Sequence, residues 1–349
     1  MDFQIYSLKE CGFYNRVTDE YLFGDINNWW DDFVSWTNTN NFFNTKTFCH
    51  SKSETPSVYC SHSGSINGIR YLSLWNETTS RKGKVLSMPK EGTVNNIQPY
   101  ENNLGKDTIP GWESNFIIDP QSNYFISISL NNKQSVRALG FWQMEKYFQN
   151  YLRNFSKYRT TEQVNDNTRF LGFNSANESN VERINGKKRE FDLRFKCTKV
   201  TLPATINEIR NNVDKIRMLV YRTKLDFRTP EQNKKAKGFL KLLGVASTND
   251  FTPQDTSHTL LSEVPWNPIL KDFDATYSRW KENHECEDMG VKFERNLSNI
   301  VWFDKTMAKD NINLSEELES LQTINRENYA NIWKYAQERI KIKYLREQK

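Results

Sequence analysis

One short stretch of this chain has the pattern of a β-hairpin, and it constrains the fold more than any other segment. Residues Asn115–Ile118 are mostly apolar, and Tyr124–Leu130 return with alternating apolar and polar side chains. Between them, Asp119–Asn123 supply the Asp and Pro that favour a tight turn. Because a hairpin makes its two strands antiparallel neighbours, we expect antiparallel sheet in this protein.

Helical patterns occur before and after this hairpin. Ile26–Trp36 carry apolar residues at spacings of three and four, with Asp25 placed as the N-cap. Phe141–Phe155 present a broad apolar stripe, and a long helix is predicted from about Leu314 to Arg346. Strands and helices in this arrangement predict an α+β fold with mixed sheets and helices, in a two-part architecture that ends in a long C-terminal helix.

The sequence pattern predicts three regions. They are an N-terminal α+β domain (residues 1–160), a basic α/β module (residues 181–245) and a mainly helical C-terminal region (residues 246–349). Pro89–Gly111 are rich in Asn, Gly and Pro and predict a long loop, and the polar Thr160–Gly186 predict a linker.

The composition excludes several classes of protein. Ten Trp, 15 Tyr and 22 Phe argue against a disordered chain, although only 37% of the residues are hydrophobic. No apolar run approaches the 18 residues of a transmembrane helix, and the N-terminus lacks the pattern of a signal peptide. Five cysteines, an odd number without a dense framework, favour reduced thiols. We therefore expect a cytoplasmic protein.

Positive charge is concentrated between Val181 and Val245. This window holds seventeen basic and seven acidic residues, a net charge of +10, whereas the whole chain has a net charge of +5. A field this uneven favours a polyanionic partner over a small neutral substrate, and non-specific nucleic-acid binding starts from such a feature. A solvated lysine-rich surface is the alternative interpretation.

Inside the window the pattern predicts a strand, a helix, a second strand and a second helix. Phe191–Cys197 and Leu219–Phe227 alternate apolar with basic side chains, and Thr205–Glu208 have the sequence of a capping box. A helix beginning near Thr229 carries lysines opposite its apolar side. The residues predicted to neutralise phosphates, without reading bases, are Arg194, Lys196, Arg222, Lys224, Lys234, Lys235 and Lys237.

The sequence offers little catalytic or metal-binding chemistry. Phosphate-loop, dinucleotide-binding, serine-hydrolase and zinc-protease motifs are missing. We predict no catalytic residue, no metal site and no cofactor. The clusters considered for a metal ion or a nuclease site are Cys49, His50, Cys60 and His62; the acidic group Glu282, His284, Glu285, Cys286, Glu287 and Asp288; and Asp119, Asp192 and Lys196.

Aromatic residues on the helix Phe141–Phe155 could act as base-stacking platforms. Phe141, Tyr147 and Tyr151 recur at helical spacing, which is typical of a buried core. We therefore assign them to the core and expect phosphate contacts from Arg and Lys instead.

The order of these elements resembles the RexA-like phage-exclusion proteins and the related Kiwa B-like abortive-infection proteins. The resemblance covers roughly residues 3–245, including Gly12-Phe13-Tyr14, the hairpin and Lys199–Pro203. It implies a cytoplasmic DNA-binding sensor that acts with a membrane partner, and it carries over no catalytic residue. The linkers of this chain are longer and its C-terminal helical region is extended.

Taken together, these observations predict an antiviral defence protein that binds double-stranded DNA non-specifically. A membrane-protein partner and a homo-oligomer are also expected. Two alternatives remain open at this point. One is a metal-dependent nuclease of a defence system that uses the same basic patch. The other is a protein-interaction subunit that assembles through its long C-terminal helix.

Overall fold

The computed structural model divides into two compact units. The first contains the described residues up to Thr198 and from Lys309 onward, and the second contains those from Lys199 to Met307. The predicted α+β class and two-part architecture are confirmed. The described residues are 2–47, 57–77, 86–101, 107–129, 141–164, 167–173, 191–226, 257–282, 288–293, 299–307, 309–311, 324 and 326–340.

A ten-stranded sheet forms the framework of the first unit. With numbering in chain order through both units, its strands are β1 (Asp2–Asn15), β2 (Tyr21–Phe23), β3 (Val58–Ile66), β4 (Ile69–Glu77), β5 (Leu86–Pro89), β6 (Tyr100–Glu101), β7 (Thr108–Asp119), β8 (Tyr124–Ser129), β11 (Phe191–Lys199) and β16 (Lys309–Asn311). The hydrogen-bonded order is β11-β1-β8-β7-β4-β3, with β2 and β16 also paired to β1, and with β5 paired to β7 and β6.

The predicted hairpin is confirmed as β7 and β8. Asp119 lies opposite Tyr124, and its two carboxylate oxygens accept hydrogen bonds from the Gln121 backbone N–H at 3.0 Å and the Ser122 hydroxyl at 2.6 Å. Asn123 completes the turn with a φ of 56°, in the left-handed region that Asn tolerates. The turn residues Asp119–Asn123 therefore determine the pairing of β7 with β8.

Two helices bring aromatic side chains into the first unit's core. They are α1 (Ile26–Thr39), capped by Asp25 as predicted, and α2 (Phe141–Asn154). The ring centroids of Phe33 and Tyr151 are 5.0 Å apart, and those of Trp29 and Phe148 are 5.1 Å apart. Large buried rings supply much apolar area from few residues, which offsets the low hydrophobic content of the chain.

Two stretches predicted as irregular contain strands. The interpretation of Pro89–Gly111 as a loop is wrong at its C-terminal end, where β7 begins at Thr108 and Ile109 is buried. Gly111 lies so close to Asn76 and Trp75 of β4 that a Cβ there would clash with the backbone. The predicted linker holds a separate two-stranded hairpin, β9 (Arg159–Val164) and β10 (Asn167–Phe173).

In its described residues the second unit has a four-stranded sheet and two α-helices. Its strands pair in the order β13-β12-β14-β15. The elements are α3 (Pro203–Arg210), β12 (Met218–Asp226), β13 (Ser257–Pro265), α4 (Leu270–Glu282), β14 (Asp288–Lys292) and β15 (Val301–Trp302). Phe273, Tyr277, Trp280 and Phe303 form its aromatic core, with centroids between 5.2 and 5.9 Å apart.

The described part of the basic module predicted for residues 181–245 is divided between the two units. Its first strand, β11, lies beside β1 in the large sheet, whereas its second, β12, pairs with β13 and β14 in the other unit. The predicted capping box is also wrong. Helix α3 begins at Pro203, two residues before Thr205, and the residue that precedes the helix, Leu202, has no side-chain acceptor to cap it.

The C-terminal helix is described from Arg326 to Ile340 as α5, within the longer span that the sequence predicts. Its apolar residues Tyr329, Ile332, Trp333 and Ala336 are buried. The Tyr329 ring stacks on Tyr71 of β4 with centroids 4.9 Å apart. This helix therefore uses its apolar side inside the chain.

Candidate nucleic-acid interface

Arg194 on β11 is surrounded by acidic side chains. Its guanidinium lies 3.1 Å from Glu10, 2.5 Å from Asp19 and 2.9 Å from Asp192, and 4.8 Å from the ring centroid of Tyr14. Hydrogen bonds to Asp19 and Asp192 raise the pKa of Arg194 above its usual value. One positive and three negative charges leave the group at −2, which repels phosphate. Arg194 therefore connects β11 to β1 and to the turn that follows β1.

Arg222 on β12 also has a structural partner. Its Nη2 atom donates to the Oδ2 atom of Asp288 at 2.9 Å, and its guanidinium lies 4.4 Å from the ring centroid of Trp302. Asp288 is only 1% exposed, and its other oxygen accepts from the backbone N–H groups of Met289 and Asp304. Burial, followed by the nearby charge of Asp304, raises the pKa of Asp288 to about 6. The pair joins neighbouring strands to the 3₁₀ turn Phe303–Thr306.

Several other cations of the described window bind protein groups as well. They contact carboxylates, backbone carbonyls, an amide oxygen or an aromatic ring. The contacts are Arg210 to Asp274 at 2.8 Å, Arg217 to the carbonyls of Asp214 and Ile216 at 2.6 and 2.9 Å, Lys215 to Asn212 at 2.8 Å, and Lys199 to the carbonyl of Trp280 at 3.1 Å and to its ring centroid at 4.3 Å.

The remaining predicted residues divide into three cases. Lys196 lies half-buried on β11 in the first unit. The backbone of Lys224 belongs to β12, and its side chain lies outside the description. Lys234, Lys235 and Lys237 lie outside the described residues altogether. The four predicted positions on described strands therefore fall in two sheets, with Arg194 and Lys196 on β11 and Arg222 and Lys224 on β12.

The positive charge of residues 181–245 is divided unevenly between the described residues and the rest of this window. Residues 191–226 hold eight basic and four acidic residues, and most of those cations have the partners given above. Residues 181–190 and 227–245 hold nine basic and three acidic residues, a net charge of +6. The larger share of the excess charge therefore belongs to two segments outside the described residues.

The metal-site candidates gain no support from the described part of the chain. No group of three or more His, Cys, Asp or Glu side chains is arranged there to hold a metal ion. Cys60 is buried on β3, where burial raises the pKa of its thiol to about 12 and makes it a poor ligand at neutral pH. Cys49 and His50 lie outside the described residues, as do His284, Glu285, Cys286 and Glu287.

The described carboxylates considered for a nuclease or for a metal ion have structural contacts. Asp119 forms the hairpin turn, Asp192 binds Arg194, and Asp288 binds Arg222. Tyr147 and Tyr151 are buried, which agrees with the assignment of the aromatic residues of α2 to the core. The side chain of Phe141 is outside the described residues. Each of these three acids therefore has a role in the fold.

A buried polar cluster on β3 and β7 was not predicted as a unit. The Ser61 hydroxyl donates to Glu113 at 2.5 Å, and His62 Nδ1 lies 3.4 Å from the same carboxylate oxygen. The Glu113 side chain is only 3% exposed. Among the described residues its second oxygen and His62 Nδ1 have no hydrogen-bond partner. Because Ser61 donates to the acid and not to His62, the trio lacks the order that activates a serine nucleophile.

A second polar cluster connects α5 to the sheet. The Tyr329 hydroxyl donates to the Asn115 side-chain oxygen at 2.7 Å and lies 2.5 Å from the Ser73 hydroxyl, which also donates to Asn115 at 2.7 Å. All three side chains are buried. A sequence signal for this cluster is weak, because isolated polar residues in strands normally face solvent.

Removing the Tyr329 hydroxyl tests the contribution of this cluster. We expect Tyr329→Phe to lower the free energy of unfolding by about 1–2 kcal/mol, because a buried hydrogen bond is lost while the ring stack on Tyr71 remains. Urea denaturation followed by tryptophan fluorescence measures the change. Tyr100→Phe is the control, since Tyr100 is exposed and should change stability by less than about 0.5 kcal/mol. Equal effects of the two substitutions would contradict the prediction.

The fold and the contacts define an α+β protein with two units and cationic segments in its sequence. No protein-family model, no curated protein and no solved structure significantly matches this chain. In the described part of the chain, no helix is both long and apolar enough to cross a bilayer.

Proposed function

We propose that this protein binds double-stranded DNA through its phosphates, without reading the bases, and acts in the cytoplasm. The observation that supports this most is the net charge of +6 carried by residues 181–190 and 227–245. The arginines on β11 and β12 already have protein partners, so the binding cations are assigned to these two segments. Lys234, Lys235 and Lys237 remain in the proposed set, and Arg194 and Arg222 leave it.

The salt dependence of DNA affinity tests this proposal. If about six phosphates are neutralised, the logarithm of the affinity should fall against the logarithm of salt concentration with a slope of about −5. Between 50 and 200 mM salt the affinity for a duplex should therefore drop about 1,000-fold. Fluorescence anisotropy with two duplexes of different sequence measures both the slope and the lack of base preference. A flat salt dependence, or strong discrimination between the duplexes, would contradict phosphate binding.

The antiviral role belongs to the same proposal and is supported by the resemblance to phage-exclusion proteins. In that setting the DNA-bound protein signals to a membrane partner, which executes the response. Phage plating efficiency on cells that express this chain, with and without its genomic neighbours, tests the role. Unchanged plating efficiency over a broad phage panel, with the neighbours present, would count against it.

The alternatives receive no specific support from the described residues. Asp119 and Asp192, the carboxylates considered for a nuclease, are engaged in the fold, and the described apolar residues of α5 are buried within the chain. The homo-oligomer stays a prediction, which light scattering on the full chain tests directly. DNA binding through residues 181–190 and 227–245 is therefore the function that we propose.

A further inference from the structure

Two lysine ammonium groups lie over a partly exposed aromatic ring in the first unit. Phe43 is 39% exposed, although its neighbour Phe42 is fully buried. The Nζ atoms of Lys46 and Lys90 lie 5.7 and 5.8 Å from the centroid of the Phe43 ring. Isolated exposed aromatics are common on protein surfaces, but one flanked by two ammonium groups resembles the chemistry of single-strand binding sites.

The backbone holds this ring in a fixed place. Phe43 belongs to a one-turn 3₁₀ helix, Phe42–Thr45, whose N-cap Asn41 accepts a hydrogen bond from the Asn44 N–H at 3.0 Å. The Phe42 N–H donates to the carbonyl of Gly92 at 2.7 Å. The Thr45 hydroxyl accepts from the Cys60 N–H of β3 at 2.8 Å. A ring presented on a braced turn loses little conformational freedom when a ligand stacks on it.

A second ring supports Phe43 from within the fold. Tyr59 is buried and nearly parallel to Phe43, with centroids 6.0 Å apart and an interplanar angle of 22°. The Tyr59 hydroxyl donates to Glu77 at 3.3 Å. The inner ring is thus fixed at its polar end, while the outer ring retains exposed surface. A planar base added to the exposed side would extend this aromatic stack.

The charges around the Phe43 ring indicate which interaction must supply most of the binding free energy. Lys46 and Lys90 are cationic, but the exposed carboxylates Glu91 and Asp107 belong to the same turn region, where the Lys90 N–H donates to the Asp107 carbonyl at 3.0 Å. These four described side chains together carry no net charge. Phosphate attraction alone would be weak here, so stacking on Phe43 has to supply most of the binding free energy.

We propose that Phe43, Lys46 and Lys90 form a binding site for an unpaired base of single-stranded nucleic acid. The base stacks on Phe43, and the two ammonium groups contact the flanking phosphates. This inference rests on the proposed nucleic-acid binding and goes beyond it, since paired bases in a duplex are not free to stack on a protein ring. A duplex should therefore not depend on Phe43.

Substituting the ring tests the site. With a fluorescent 15-residue oligothymidylate, Phe43→Ala should weaken binding by about 5- to 100-fold, the range measured for loss of one stacked base, and Phe43→Trp should retain it. Affinity for a 15-base-pair duplex should change less than about twofold. Phe155→Ala is the matched control, because Phe155 is similarly exposed at 41% but packs on Trp36. It should alter neither affinity.

The outcomes separate the two proposals. If Phe43→Ala leaves oligothymidylate binding unchanged, or weakens both strand types equally, the stacking site is refuted while salt-dependent duplex binding can still stand. If the wild type binds neither oligothymidylate nor duplex, both proposals fail. Since Phe43 is exposed, the thermal midpoint of each variant should match the wild type within a few degrees, and Phe43→Trp keeps the test valid should the alanine variant lose stability.

Discussion

Replacing Asp288 by alanine is expected to lower the free energy of unfolding by about 3 kcal/mol, because the Arg222 guanidinium loses the side-chain oxygen that accepts its hydrogen bond. The Asp288 side chain is 1% exposed, and that of Arg222 is 26% exposed, which places the effect at the low end for a broken buried pair. The same change removes the acceptor of the Met289 and Asp304 N–H groups. Urea denaturation of the full chain measures the loss.

The pH dependence provides an independent check on this pair. The pKa of Asp288 is raised to about 6 in the folded protein, whereas a carboxyl of this type titrates near 4 in an unfolded chain. Between these values the folded protein binds a proton that the unfolded chain does not. Stability contributed by this group therefore increases as the pH falls from 6 towards 4 and is lost as the pH rises again.

Asp288→Asn distinguishes the effect of proton binding on stability from the effect of packing, because asparagine has nearly the same size as aspartate but does not titrate. The stability of the wild type relative to Asp288→Asn should increase between pH 7.5 and pH 4.5. Parallel stability profiles of the two proteins over this range would mean that Asp288 does not titrate there. Arg210→Ala is the matched control for the pair, since both Arg210 and Asp274 are more than a third exposed, and it should cost less than about 1 kcal/mol.

Reversing the charges of Lys234, Lys235 and Lys237 to glutamate should weaken duplex DNA binding at least about 100-fold at 100 mM salt. Three phosphate contacts disappear, so the slope of affinity against salt should become less steep by about 3. The three lysines lie outside the described residues, and the prediction depends on their charge alone. Fluorescence anisotropy over a salt series measures both quantities.

Arg194→Gln is the control for this experiment. Because three carboxylates already surround Arg194, removing its charge should leave the slope unchanged and the duplex affinity within about twofold. A thermal melt confirms that each variant is folded. If Arg194→Gln weakened DNA binding as much as the triple reversal, the assignment of the binding cations to the segments outside residues 191–226 would be wrong.

Local features of the fold were predictable from the sequence. The turn at Asp119–Asn123, the Asp25 cap and the apolar stripe of α2 each depend on residues within about fifteen positions of one another, so turn chemistry and helical spacing identify them. The strands β7 and β11 follow from the same kind of pattern. Where the local signal is weak, as in the Gly- and Pro-containing start of β7, the strand forms because β4 and β5 both pair with it.

The sequence alone determined the α+β class, the aromatic core and the uneven charge, because periodicity, residue size and charge are properties of the chain itself. Beyond the β7–β8 hairpin, only the tertiary structure decided which strands pair, and therefore which cations are neutralised. Arg194 meets Glu10 across 184 positions, and Arg222 meets Asp288 across 66. A charge total cannot anticipate such pairs, since the attraction between two groups depends on their distance in space and not on their separation along the chain.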